Sequence, residues 1–356
     1  MLFDSHQIPL SYYLPHWVQI FTVNETDKDN SSPQIRTSRT AILLLDIAGF
    51  TQLTDTFAQN GDRGAEQLSD LLNNCFTELL EIADKYGADV ASFTGDGFFL
   101  VWDATEAEQA ALVASAFHAI SDCCWGEWND HGLRLLELRR TACSASPRHA
   151  VPSDPSYELL VPGVVRDRHH VGGGSWLAEF RTLSVLCIRL LRSGFQPGLL
   201  GPLHASVVSI QLVAENLEGS ILNVLMDDKG LSAWLAFGAP PFAHADNPLR
   251  AVAAALKIRD ELTTSVLQPT IGVASGKLFC GDCGGRVRRE YAVFGQPINM
   301  AARLIDLSDG EVVCDAATAR HRWKGGSGGS AAAENQGASG TDRRLSSASD
   351  SSPSSC

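Results

Sequence analysis

Asp46 ends a short apolar run, Ala41-Ile-Leu-Leu-Leu45, and is followed at once by Ile47-Ala48-Gly49-Phe50-Thr51. Further along, Asp96 sits in Phe93-Thr-Gly95-Asp-Gly-Phe-Phe99. Two carboxylates at strand ends, each beside a glycine that lets the chain bend, suit Mg²⁺, a hard ion that leaves much of its shell to water and phosphate. Two such ions about 4 Å apart can clamp an in-line displacement at phosphorus. The backbone carbonyl of Ile47 is a further candidate ligand. Ala48, Gly49, Phe50 and Thr51 precede a predicted helix, so their N–H groups offer an anion site suited to a triphosphate. Taken singly, each aspartate also suits a turn or a cap. The pair, with both glycines, favours the metal site.

A second constellation is Tyr291-Ala-Val-Phe-Gly295-Gln-Pro-Ile-Asn299-Met-Ala-Ala302-Arg303. Asn299 and Arg303 are four apart and share one helical face. An asparagine that orients a sugar oxygen and an arginine that meets charge growing on a phosphoryl oxygen form a coherent pair. The plainer alternative is a solvated Asn and Arg. Cys280-x-x-Cys283 invites a zinc or redox reading, but it has no second ligand pair at zinc-site spacing, and a structural role is favoured.

These residues need elements to position them. Ala41 to Leu45 has no polar interruption, which predicts a central strand covered on both faces. Apolar spacing predicts a helix over 64–85, stopped at Gly87. A hairpin follows, 90–93 and 98–102 around Thr94-Gly-Asp-Gly97, then an alanine-rich helix over 105–123. From 125 to 168 no usable period remains, and a structureless loop of that length is uncommon in a compact domain. The order then restarts. Strand 183–188, helix 199–217, hairpin 220–226 and 231–237, and helix 247–262 repeat the first half. Strands 270–274 and 291–294 and a helix over 298–307 continue beyond it. The resulting division is a capping segment and linker (1–39), a first domain (40–124), an irregular segment (125–168), a second domain (169–322) and a Gly/Ser/Ala-rich tail (323–356). The tail has too little apolar surface to offset ordering entropy and reads as disordered.

The 356 residues carry 28 Lys and Arg against 41 Asp and Glu, a net charge of -13 that argues against a nucleic-acid partner. Nine scattered cysteines read as reduced thiols, and no apolar run approaches the ~20 residues that span a bilayer. The chain reads as cytoplasmic, without a transmembrane segment.

Asp46-Ile-Ala-Gly-Phe-Thr51, Thr94-Gly-Asp-Gly97 and Phe294-Gly-Gln-x-x-Asn299-x-Ala-Ala-Arg303 resemble the signatures of class III nucleotidyl cyclases. Ser175-Trp-Leu-Ala-Glu-Phe-Arg-Thr-Leu-Ser-Val-Leu186 and Ile271-Gly-Val-Ala-Ser-Gly276 resemble the soluble, bicarbonate-responsive adenylyl cyclase branch, which holds two catalytic domains in tandem. The resemblance implies an α+β fold of two ferredoxin-like (βαββαβ) domains arranged as a pseudo-dimer, the first incomplete, with a homodimer also open. It implies one site at the domain interface, where ATP becomes cyclic AMP and pyrophosphate by attack of the ribose 3′-hydroxyl on the α-phosphorus, for intracellular signalling. Asp46, Ile47 and Asp96 would hold two Mg²⁺ or Mn²⁺ ions, Gly95 and residues 48–51 would line the phosphates, and Asn299 and Arg303 would serve the transition state.

The chain departs from that pattern in several places. The adenine-reading lysine falls at Asn223 and its partner at Ala292; the lysine of the bicarbonate site falls at Ser92. The position matching Asp46 in the second half is Arg189, and Asp227 and Asp228 read as turn residues. His131 to Leu138 looks like the start of a fourth strand, after which the family pattern stops until about residue 158. The competing reading is a catalytically impaired module that binds nucleotide or dimerises.

Overall fold

The computed structural model describes residues 8–19, 33, 37–47, 49–94, 97–102, 106–129, 132–138, 157–158, 160–170, 178–191, 197–227, 230–263, 267–308, 310–321 and 343–345. Two units are present, Met1–Arg181 with Leu278–Gly295, and Thr182–Lys277 with Gln296–Cys356. Both are α+β.

Unit 1 runs β1 (Ala41–Asp46), α1 (Phe50–Ala58), α2 (Gly61–Lys85), β2 (Asp89–Phe93), β3 (Gly97–Trp102) and α3 (Glu106–Cys123). β4 (Cys124–Asn129), β5 (Gly132–Leu138) and α4 (Gly163–His170) follow. The first three strands form an antiparallel sheet in the order β1-β3-β2. α2 is long because Leu68, Leu72, Phe76, Leu79 and Ala83 recur at helical spacing, and all are buried. The Phe76 ring meets Phe93 at 5.8 Å and stands edge-on to Phe98 at 5.4 Å, which fixes the helix on β2 and β3. Gly87, at φ 77°, ends the helix in the left-handed conformation expected from the sequence.

β1 differs from expectation. Its described partner is β3 alone, and Ile42 and Leu44 are 61% and 53% exposed. Among the described residues it is an edge strand, not a central one. The segment expected to be irregular contains a regular hairpin, in which β5 pairs with β4 and not with β1. Residues 139–156 lie outside the described residues.

Unit 2 runs β6 (Glu179–Leu191, entered from unit 1), α5 (Leu200–Asn216), β7 (Gly219–Asp227), β8 (Gly230–Phe237), α6 (Asn247–Leu262) and β9 (Thr270–Gly284). This is a βαββαβ order with neighbours β9-β6-β8-β7. β10 (Arg289–Phe294) folds back on β9; then come α7 (Gln296–Leu307), β11 (Val312–Cys314), parallel to β9, and α8 (Ala316–Ala319). Within the expected tail, β12 (Arg343–Leu345) pairs with β11, and the rest of 323–356 lies outside the described residues. The core of unit 2 includes Leu186, Ile188, Ile210, Leu235, Phe237, Ile258 and Val273.

β9 is fifteen residues long, three times the expected strand, and ends in unit 1 together with β10. There the hairpin is held on α2 by Asn73, whose Nδ2 donates to the Asp282 carbonyl (3.2 Å) and whose Oδ1 accepts from the Gly284 N–H (3.0 Å). The N-terminal segment closes over the same hairpin. It forms a 3-10 turn, Leu10–Tyr13, and a helical turn at residues 16–19. Tyr13 donates to Asp282 (2.7 Å), and the Asp89 carboxylate accepts from the N–H groups of His16 (3.0 Å) and Trp17 (2.9 Å).

Candidate active site

β1 alternates, turning Leu43 and Leu45 toward the core of unit 1 and Ile42, Leu44 and Asp46 outward. The Asp46 carboxylate is therefore exposed, at the strand's last position. Its cross-strand partner is Gly97. A Cβ at position 97 would lie 2.0 Å from the Leu45 carbonyl oxygen and 3.0 Å from Asp46 Cα, so only glycine lets β3 reach β1 here.

After Asp46 the chain turns through Gly49, at φ 78°, into α1. The Phe50 N–H donates to the Ile47 carbonyl (3.3 Å), so one amide of the expected anion site already has a partner within the turn. Gly49 and Thr51 are exposed, whereas Phe50 is buried with its ring 4.7 Å from that of Phe294. On the other strand pair, the Thr94 N–H donates to the Gly97 carbonyl (2.9 Å) and closes the turn after β2. Ala48, Gly95 and Asp96 lie outside the described residues.

Ala292 lies on β10, two residues before Phe294 and on its face, buried in the core of unit 1. Phe294 stacks on Phe279 at 4.4 Å. Unit 1 thus brings together Asp46, the turn behind it and β10. Gly97 and Phe294 are the residues of this arrangement that sequence reasoning does not single out; each has a signal in its own motif, but the contact that gives it a task is long-range.

Unit 2 holds Asn223, Asn299 and Arg303. Asn299 and Arg303 are both exposed on α7, opposite its buried face of Pro297, Ala301, Leu304 and Ile305. Glycines of β9 allow that helix to approach closely. A Cβ at Gly272 would sit 2.2 Å from the Ala301 carbonyl, and one at Gly276 would sit 2.7 Å from Pro297. Asn223, on β7, has a buried Oδ1 with no hydrogen-bond partner among the described residues.

Arg189 does not stand at the position of Asp46. Asp46 pairs with Gly97 and Leu44 with Phe99, two residues on; in unit 2 the residue two beyond the hairpin glycine Gly230 is Ser232, and it pairs with Arg189. A register shift between Arg189 and Leu191 moves the strand on, so Leu44 is the counterpart of Arg189. Its guanidinium instead reaches the end of α7, 2.9 Å from Asp306. The residue after Leu191 is Arg192, again a cation, and it lies outside the described residues.

Cys280 and Cys283 are buried free thiols three apart on β9, hence on opposite faces of the strand. They cannot grip one ion. Burial pushes the Cys280 thiol up to about 12 and moves the Cys283 thiol in the same direction. Among the described residues no cluster of three or more His, Cys, Asp and Glu is placed to hold a metal, and no helix is long and apolar enough to cross a membrane.

Comparison with known proteins gives a consistent set of relatives. Mouse (Mus musculus) adenylate cyclase type 10 is 24% identical over 400 residues, covering 80% of this chain and 25% of that protein. The human (Homo sapiens) protein of the same name is 30% identical over 396 residues, covering 78% and 24%. The chain is homologous to adenylate cyclase type 10. It spans about a quarter of the length of these relatives. The aligned span of 400 positions exceeds the 356 residues present, so the relatives hold residues inside it that have no counterpart here. No family model matches the chain. Among solved structures, the adenylyl cyclase CyaB from P. aeruginosa is similar over 40% of this chain and 81% of its own, at 20% identity and a TM-score of 0.36.

Proposed function

We propose that this chain is an adenylate cyclase, converting ATP to cyclic AMP and pyrophosphate in the cytoplasm for intracellular signalling. The observation that supports the reading most is Asp46, an exposed carboxylate locked at a strand end by Gly97, in a chain homologous to adenylate cyclase type 10. Asp46 and the Ile47 carbonyl are hard oxygen donors of the kind Mg²⁺ or Mn²⁺ takes, and Asp96 would complete the set. Two such ions, held by these oxygens, would supply charge neutralisation and Lewis-acid activation for the displacement at phosphorus.

The chain's own residues have the remaining tasks. Gly49 and Thr51 border the phosphates, a task that the sequence motifs also assign to Ala48 and Gly95. Asn299 orients the ribose, and Arg303 meets the charge that grows on the α-phosphoryl group. Asn223, whose buried oxygen has no partner among the described residues, is suited to a donor on the purine edge, such as the exocyclic amine of adenine. Ala292 offers no side-chain hydrogen bond to the base.

The second reading is a catalytically impaired module that binds nucleotide or dimerises. The position of β1 favours it, because that strand carries Asp46 and, among the described residues, pairs with β3 alone. A cyclic nucleotide assay on ATP and GTP with Mn²⁺ separates the two. The enzyme reading expects cyclic AMP from the unmodified chain and its loss in both Asp46→Ala and Arg303→Ala. Equal product from either variant would refute it.

A further inference from the structure

On β6, Ile188 and Leu190 point into the core of unit 2, so Arg189 between them points to the opposite face of the sheet. That is the face of α7. The neighbouring strand β9 meets α7 through Gly272 and Gly276, while its Ile271 and Val273 turn to the core. Arg189 Nη1 donates to Asp306 Oδ1 at 2.9 Å, and its Nε is buried with no partner among the described residues. The two side chains are 12% and 65% exposed. Pairing a charge that is nearly buried with one that is mostly exposed contributes little net stability. A task at α7 is the better account of why a guanidinium stands here.

Asp306 belongs to the same stripe as two candidate site residues. Asn299, Arg303 and Asp306 are spaced i, i+4 and i+7, so they line one exposed face of α7. Asp306 follows Arg303 by three residues, within reach for the two side chains to pair along the helix. Instead Asp306 is held by Arg189, and Arg303 has no ion-pair partner among the described residues. We propose that Arg189 is a positioning residue for Arg303: it draws off the Asp306 carboxylate and leaves the Arg303 guanidinium open to an anionic group. That this anion is the α-phosphoryl group rests on the cyclase reading; the competition for Asp306 does not.

Two arms test this on the full chain. In the first, phenylglyoxal labels accessible arginines, and mass spectrometry reads Arg303 by itself. Arg189→Met keeps most of the side-chain volume and drops the charge. Asp306 then turns to Arg303, whose labelling should slow about twofold, the size of an i,i+3 pair. Adding Asp306→Asn removes the competitor, and Arg303 should return to the parent rate. In the second arm, Arg189→Met should lower kcat for cyclic AMP formation about tenfold, because an unpaired carboxylate one turn from Arg303 opposes the growing phosphoryl charge. The double variant should recover to within about twofold of the parent. An unchanged Arg303 rate in Arg189→Met, or a faster one marking a frayed end of α7, overturns the proposal. So does a double variant no better than Arg189→Met in either arm. If the unmodified chain makes no cyclic nucleotide, the labelling arm still decides the competition and only the cyclase reading falls. Should Arg189→Met not fold, Asp306→Asn alone decides. With Asp306 already drawn off in the parent, Arg303 should label at the parent rate, and a faster Arg303 overturns the proposal.

Discussion

Gly97 faces Asp46 across the β1–β3 pair with no room for even a methyl group. Gly97→Ala would drive a carbon into the Leu45 carbonyl, so the strands must part or slip where the carboxylate stands. The expected result is a loss of at least about 2 kcal/mol in urea unfolding, together with loss of any cyclase activity. A variant as stable as the parent would show that β3 does not press on β1 at this point.

Asp46 itself is exposed and supports no packing. Asp46→Asn should leave the melting temperature within about 2 °C, as surface substitutions usually do. Product formation should fall at least about 100-fold, beyond the typical effect of losing a residue that merely orients a metal ligand. Melting curves beside a cyclic AMP assay separate the two effects.

Asn73 bonds the β9–β10 hairpin through both ends of its amide. Asn73→Ala removes both bonds and leaves the Asp282 carbonyl and the Gly284 N–H without this partner. Stability should drop by about 1–3 kcal/mol. Proteolysis should then speed up first at the hairpin, which limited digestion followed by mass spectrometry would locate.

The buried thiols make the protein alkali-sensitive. In the unfolded chain the Cys280 thiol ionises near 9, whereas burial holds its proton until about 12 in the folded protein. The unfolded state thus releases its proton first, and stability that is full below about pH 9 declines as pH rises toward 12. Cys283 and Tyr291 are pushed the same way. Urea midpoints at pH 8 and pH 10 should differ, and Cys280→Ala should narrow the difference. The same burial predicts that a maleimide labels half-buried Cys75 in the native protein well before Cys280 or Cys283.

Much of unit 2 is legible in the sequence because its apolar periods are long and its breaks are turns. The helix at 247–262 matches to the residue, and the hairpins fall within a residue or two of expectation. β9 is not legible beyond its start. Its glycines at 272, 276 and 281 resemble punctuation, yet they serve the close approach of α7 and of Ala178. β1 misleads in the opposite way. An unbroken Ala-Ile-Leu-Leu-Leu is the signature of a strand covered on both faces, but coverage depends on a neighbour, and β5 pairs elsewhere.

At the site, Asp46 and its glycine turn are local features and stand out. The roles of Gly97 and Phe294 depend on contacts between residues far apart in the chain. The mismatch at Arg189 has a different origin, since a register shift adds a residue to one strand without leaving a mark in composition.

Unit 1 is assembled from residues 1–181 and 278–295, so no single scission of the polypeptide frees it from Thr182–Lys277. A fragment ending at Arg181 keeps Asp46 but loses Phe294 from Phe50, Arg288 from the Phe93 ring, and both hairpin partners of Asn73. A fragment starting at Thr182 inherits the hairpin as an orphan, with Phe279 and Phe294 stripped of cover. Mixing two such halves can restore the protein only if the hairpin finds its seat in trans. The smallest heritable piece with a complete unit 1 is the continuous stretch from the N-terminus through Gly295, which carries Thr182–Lys277 along as cargo.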